Sequence, residues 1–225
     1  METRSDHSSK RMTKSNASVV REYGPFPGVE RVNGVTWDGR HIWLASGEKL
    51  VALDPESGNP VRTIDVACHA GTAFDGKHLF QIAEDRIHKI DPDTGRVLHT
   101  IPAPGGGGDS GLAWAEGTLW VGQYRERKIH QVDPQTGKIL RTINSNRFVT
   151  GVTWVDGELW HGTWEGDEGE VLRIDPATGE VLDQIAMPAG VGVSGLESDG
   201  GERFFCGGGT SGKVRTVRKP ARKQA

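Results

Sequence analysis

One phrase is written five times along this 225-residue chain. It runs Gly-apolar-x-aromatic, an acidic residue and Gly, a second aromatic stretch, a third apolar stretch, then Asp-Pro-x-Thr-Gly or a close variant. The copies fall at Gly34–Gly58, Gly71–Gly95, Gly111–Gly137, Gly151–Gly179 and, degraded, from Gly195 onward. A repeat of this period is one supersecondary unit that cannot bury its apolar face alone, so the copies must stack on one another. The repeat also separates residues that every copy needs from residues that only one copy carries. Function is sought among the second kind.

Within each copy the signals are those of short antiparallel strands. Asp38-Gly39, Asp75-Gly76, Glu116-Gly117, Asp156-Gly157 and Asp199-Gly200 each stand between two apolar stretches. Gly there takes positive φ without strain, which makes a tight hairpin. Asp54-Pro55, Asp91-Pro92, Asp133-Pro134 and Asp175-Pro176 open further turns that close on Gly58, Gly95, Gly137 and Gly179. Pro suits the second place of such a turn and Gly its left-handed exit. Four short strands per unit with no helical period predict an all-β, five-bladed β-propeller, four antiparallel strands to a blade. The last copy lacks its fourth strand, and Ser18–Tyr23 has the pattern to supply it. That pairing closes the ring with the N-terminal strand and removes an exposed sheet edge.

The length suits one closed domain, placed at residues 18–219, between a polar tail expected to be disordered (1–17) and a basic C-terminal tail (220–225). The net charge is only -3, so no global field selects nucleic acid. No apolar run approaches the roughly 20 residues that span a bilayer, and no leader pattern opens the chain. With two cysteines, Cys68 and Cys206, and no Cys-x-x-Cys pair, the expectation is a cytoplasmic monomer with reduced thiols.

Six of the seven Trp residues (Trp37, Trp43, Trp114, Trp120, Trp154, Trp160) occupy two fixed places in the repeat, with Phe74 and Phe80 in the same places of the second copy. They are expected to pack between blades. Trp164 has no counterpart and is expected on a loop. Loops on one propeller face surround the channel mouth, and three sets of residues break the repeat there. Asn33, Ala70, Ser110, Thr150 and Ser194 precede the repeated Gly and form a small or polar ring, with His69 and Asp109 one residue earlier. Gln81 and His161 are polar where other blades carry Leu, Val or Cys. Glu197 replaces a Thr or Ala near the axis, where burial raises a carboxyl pKa and suits it to proton transfer. Two loops, Gln123–Arg127 with Tyr124 and Arg125, and Trp164–Glu168 with Glu165, would clamp a small zwitterion or polar ring. Catalysis is assigned to His161, Glu197 and His69, and substrate binding to the others. No cofactor is expected, a divalent metal held from His69, Asp109, His161 or Glu197 being the remaining option.

Leu159-Trp160-His161-Gly162-Thr163-Trp164, leading to Val171-Leu172-Arg173-Ile174-Asp175-Pro176-Ala177-Thr178-Gly179, resembles the glutamine cyclotransferase family of five-bladed propellers. The resemblance implies cyclisation of N-terminal glutamine and places Trp164 in the pocket. It also implies a proton-transferring Glu on the second strand of the first blade, where this chain has Leu44, and Thr150-Gly151-Val152-Thr153 replaces an Asn-Glu-Leu-Glu stretch. The function expected is therefore a small-molecule propeller on a cyclotransferase-like scaffold. It would act on a small polar molecule or short peptide, by acid–base chemistry of a lyase, isomerase or cyclotransferase-like kind. The alternative is a non-catalytic ligand- or protein-binding propeller.

Overall fold

The structure, a computed structural model, describes residues 12–221. Within them the chain is all β, with twenty strands and five sheets. Two strands precede the repeats, β1 (Thr13–Asn16) and β2 (Val19–Tyr23). The first blade holds β3 (Gly34–Trp37), β4 (Ile42–Leu53) and β5 (Pro60–Cys68). The second holds β6 (Thr72–Phe74), β7 (Leu79–Ala83), β8 (Arg86–Ile90) and β9 (Val97–Pro102). In the third are β10 (Asp109–Ala115), β11 (Thr118–Gln123), β12 (Lys128–Val132) and β13 (Ile139–Asn144). The fourth has β14 (Val152–Val155), β15 (Glu158–Glu165), β16 (Glu168–Ile174) and β17 (Val181–Ala186). The fifth has β18 (Gly195–Ser198), β19 (Arg203–Gly207) and β20 (Val214–Arg218).

Strand β4 fills two places in its blade. It turns at Gly47 (φ 59), its first residues pairing with β3 and Leu50 to Leu53 with β5. The strand expected to close the ring does so: β2 pairs antiparallel with β20, and the last sheet reads β18-β19-β20-β2.

The innermost strands β3, β6, β10, β14 and β18 are neighbours in that cyclic order, and the repeated Gly sets their spacing. A Cβ on Gly71 would lie 2.4 Å from Leu112 N, and one on Gly151 2.3 Å from Leu196 N. The backbones therefore touch where each blade meets the next, and any side chain would force them apart. Further out, the second-strand aromatic of one blade packs against the next blade. Phe80 stacks on Trp114 at 5.4 Å, Trp120 on Trp154 at 4.7 Å, and Phe205 meets Trp37 at 5.5 Å. Ser198 stands where the fifth blade would carry its first-strand aromatic, and Trp160 packs on Phe204 instead, at 5.0 Å.

The rim is laced by the outermost strands. Arg62 donates to Asp93 O, His99 to Gln135 O, Arg141 to Pro176 O, and Arg21 to Pro55 O and Glu56 O. Each reaches the Asp-Pro-type turn of the following blade. The step from the fourth blade to the fifth has no such turn to reach. There Asp183 instead pairs with Arg173 of its own blade at 2.6 Å.

The expected polar tail needs correction in part. Thr13–Asn16 forms β1, which pairs parallel with β17 and gives the fourth blade a fifth strand. An outer strand presents unpaired backbone groups to any extended segment nearby, and these polar residues use them. Residues 1–11 and 222–225 of the two expected tails lie outside the described residues.

Candidate functional site

The N-terminal ends of the inner strands open on a cavity of about 640 Å³ at one face of the ring. Eight of the thirteen expected site residues line it: Asn33, His69, Asp109, Ser110, Tyr124, Thr150, Trp164 and Ser194. The polar ring is only partly free. Asn33 donates to Cys68 O at 3.1 Å, Ser110 to Val149 O at 2.6 Å, and Ser194 to Val32 O. Each acceptor lies on the segment leading into the next blade, so these side chains fasten blade to blade. Thr150 makes no such bond: its Oγ1 is buried without a partner.

Asp109 and His69 occupy a place held by the buried residues Val32, Val149 and Val193 in the other blades. Both Asp109 oxygens accept from Gly105 N, at 3.0 and 2.9 Å, which pins the Gly105–Gly108 turn. Burial pushes this carboxyl above its ordinary pKa, against the hydrogen bonds from Gly105 and Gln123 that favour the charge. In the second blade Cys68 takes the buried place, and His69 swings outward to the rim. There its Nε2 lies 3.4 Å from Glu48 Oε1, with 38% of the imidazole side chain exposed.

Trp164 lies on strand β15, paired with Gly169, and not on a loop as expected. The β15–β16 hairpin simply runs longer than its counterparts, and its two-residue turn comes at Gly166-Asp167. The indole covers Gly192, where a Cβ would lie 2.9 Å from the ring. Tyr124 reaches across from the third blade, donating from its hydroxyl to Trp164 O at 3.0 Å and packing on Phe148 at 4.8 Å.

The other five expected residues lie outside the cavity lining. His161 is fully buried on β15 between Val152 and Leu172. Its Nδ1 donates to Gly162 O at 2.8 Å and its Nε2 accepts from the Ser145 hydroxyl at 3.0 Å. Burial lowers its pKa to about 4, so the ring is neutral at pH 7. Both ring nitrogens are spent on these bonds, and the structure does not bring the expected catalytic His161 into the cavity lining. Glu197 lies down the channel. It accepts from Thr36 Oγ1 at 3.0 Å, Thr153 Oγ1 at 2.5 Å and Ser198 N at 2.8 Å, bracing the fifth blade against the fourth and the first. Burial raises its pKa to about 7.

Gln81 is buried outside the cavity lining, donating to Ala70 O and Ile82 O, while its Oε1 has no partner among the described residues. Glu165 accepts from Phe148 N and lies 3.3 Å from Arg147 Nε, which ties it into the framework. Arg125 points to solvent at the outer loop. Of the four candidate metal ligands only His69 and Asp109 line the cavity, and no group of three or more His, Cys, Asp or Glu is placed to hold a metal among the described residues. Both cysteines are free and buried, and burial pushes each thiol up to about 12.

The family described as PQQ_2, outer membrane protein assembly factor BamB, matches residues 83–219, more than half of the chain. The chain belongs to that family. Among solved structures, the glutaminyl cyclase of Myxococcus xanthus is similar with a TM-score of 0.78 and 19% identity, over 92% of this chain and 98% of that one. A hydrazine synthase of Kuenenia stuttgartiensis is similar with a TM-score of 0.51 and 18% identity, over 79% of this chain and 55% of that one. At these identities the likeness is one of fold, and the propeller expected from the blade-four resemblance is the part it supports. No curated protein matches.

Sequence reasoning missed several parts of the cavity wall, among them Arg31 and the loop Gly208-Gly209-Thr210-Ser211. The loop belongs to the most degraded repeat, where there is no pattern left to break. Ser194 holds it, accepting from Gly209 N at 2.9 Å. Arg31 was legible in principle, since no other copy has a cation at that place.

Proposed function

We propose that this chain is a small-molecule-binding propeller whose ligand seats at the channel mouth. The observation that carries the reading is the content of one cavity. Arg31, His69, Asp109, Tyr124 and Trp164 line it together, though the repeat requires none of them. A concave site with an aromatic wall and a few convergent polar groups is what such ligands need. The protein would act as a cytoplasmic monomer, without nucleic acid or membrane as a partner.

Acid–base chemistry at the same place is the second reading, favoured by the raised pKa of Asp109 beside the cavity. It would run on Asp109 and His69. Glutaminyl cyclisation, the activity of the Myxococcus protein, finds no proton carrier at Leu44, which is fully buried among apolar residues of the first and fifth blades.

Thermal-shift screening of the full chain against small organic acids, amines and amino acids tests the binding reading. A hit should lose its shift in Trp164→Leu and keep it in Arg125→Gln. Hits indifferent to Trp164 would place binding elsewhere and sink the proposal. For the second reading, Asp109→Asn should abolish turnover of a hit while leaving its affinity within a few-fold.

A further inference from the structure

Resting on that reading, we infer that the ligand of the channel mouth is a small planar carboxylate, its acid group held by Arg31 and its ring laid on Trp164. Four observations converge. Among the described residues Arg31 makes no hydrogen bond or ion pair, yet it lines the cavity. An arginine fork without a partner matches a carboxylate in geometry as well as charge.

The acidic groups nearby are already engaged. Asp109 accepts from Gly105 N with both oxygens, and its carboxyl is buried. Glu48 stands at the rim beside His69, its side chain 75% exposed. Asp109 is thus spent on the Gly105 turn, and Glu48 stands beside His69 outside the cavity lining. Among the described residues lining the cavity, the Arg31 guanidinium is therefore the charged group left without a partner.

The third observation is the wall. Trp164 presents an indole backed by Gly192, with no side chain between ring and backbone, and flat unsaturated ligands pack on such a face. The fourth is the loop beside Arg31: Gly209 bridges to Val32, and the next residue, Thr210, makes no hydrogen bond among the described residues. Thr210 can bind the second carboxylate oxygen.

Isothermal titration of the full chain with benzoate and indole-3-acetate, their primary amides, and benzylamine tests this. The carboxylates should bind and the amides bind about tenfold or more weakly. Arg31→Gln should cost the carboxylates about ten- to a hundredfold and leave the amides unchanged, with Arg31→Lys keeping part of the affinity. Arg31 is exposed, so these variants are expected to fold, and an unchanged melting temperature checks it. Amides binding as well as acids, or no carboxylate binding at millimolar concentration, would overturn the inference. If benzylamine binds and responds to Trp164→Leu, the cavity reading stands while the carboxylate is refuted. If no probe responds to Trp164→Leu, the cavity reading fails as well.

Discussion

Glu197 inside the channel and Asp109 at its mouth are both carboxyl groups in places where other blades carry small or apolar residues, and burial raises the pKa of each. Glu197 is flanked by the fourth and first blades and is taken up by Thr36, Thr153 and the Ser198 N–H. Asp109 is also held, by Gly105, but it forms part of a wall that faces a void. A residue that breaks a repeat can thus meet a ligand only where its place opens on space, as that of Asp109 does. Within the stacked blades the neighbours consume it. Trp160 and Trp164 make the same contrast within one strand. The first is sealed against Phe204 of the next blade, and the second lies over Gly192 at the mouth.

That pair gives the largest expected effect. Trp160→Ala should destabilise the fold by about 3–5 kcal/mol, as large-to-small changes at sealed aromatics do, and Trp164→Ala by less than about 1 kcal/mol. Urea unfolding measures both. Equal costs would mean that the mouth and the seams between blades are not distinct regions.

Next comes Glu197→Gln. A folded pKa raised from 4.5 to about 7 means that the ionised carboxylate is disfavoured in the fold. The penalty is absent below about pH 4.5, grows between there and pH 7, and is complete above it. It is worth roughly 3 kcal/mol. Glutamine keeps an acceptor oxygen for one threonine and offers its amide N–H to the hydroxyl of the other, without the charge. The melting temperature of the variant should therefore gain on that of the natural protein as pH rises from 5 to 8. A gap that stays constant across that range would show that Glu197 is not titrating there.

The architecture was legible because propeller sterics repeat. The inner Gly, the aromatic pair and the Asp-Pro turn each do one job five times, or nearly so, and the periodicity exposes them. Closure by β2 was legible for the same reason. The site was half legible. Exceptions to the pattern can be found in a sequence, but the direction in which each faces cannot. His161 and Trp164 are three residues apart on one strand, and alternation puts them on opposite sides of the sheet. Reading that alternation strictly would have separated them. Arg31 and Thr210 were harder, because binding groups on connecting segments carry no period.

His161 offers the opposite pH signature. Its folded pKa, lowered from 6.5 to about 4, means that the unfolded chain takes up the proton first. The stabilisation is present above about pH 6.5 and is lost as pH falls toward 4. His161→Gln should cost about 1–2 kcal/mol at pH 8, through the altered bonds to Ser145 and Gly162. That cost should shrink at pH 5, with carboxylate binding at the mouth unchanged at both. A fall in binding without a fall in stability would return His161 to the site.

The smallest expected effect carries the sharpest distinction. In Asp109→Asn the new amide oxygen can still accept from Gly105 N, so stability should move by less than about 1 kcal/mol. The charge facing the cavity is what changes. If Arg31 sets the field there, removing a nearby negative group leaves a carboxylate probe bound as well as before or up to about threefold tighter. If Asp109 instead holds an amine, the same substitution strips a charge-assisted hydrogen bond and costs about tenfold or more in the affinity of benzylamine. Measuring both probes on both proteins by titration calorimetry assigns the sign of the cavity, since the two outcomes move in opposite directions.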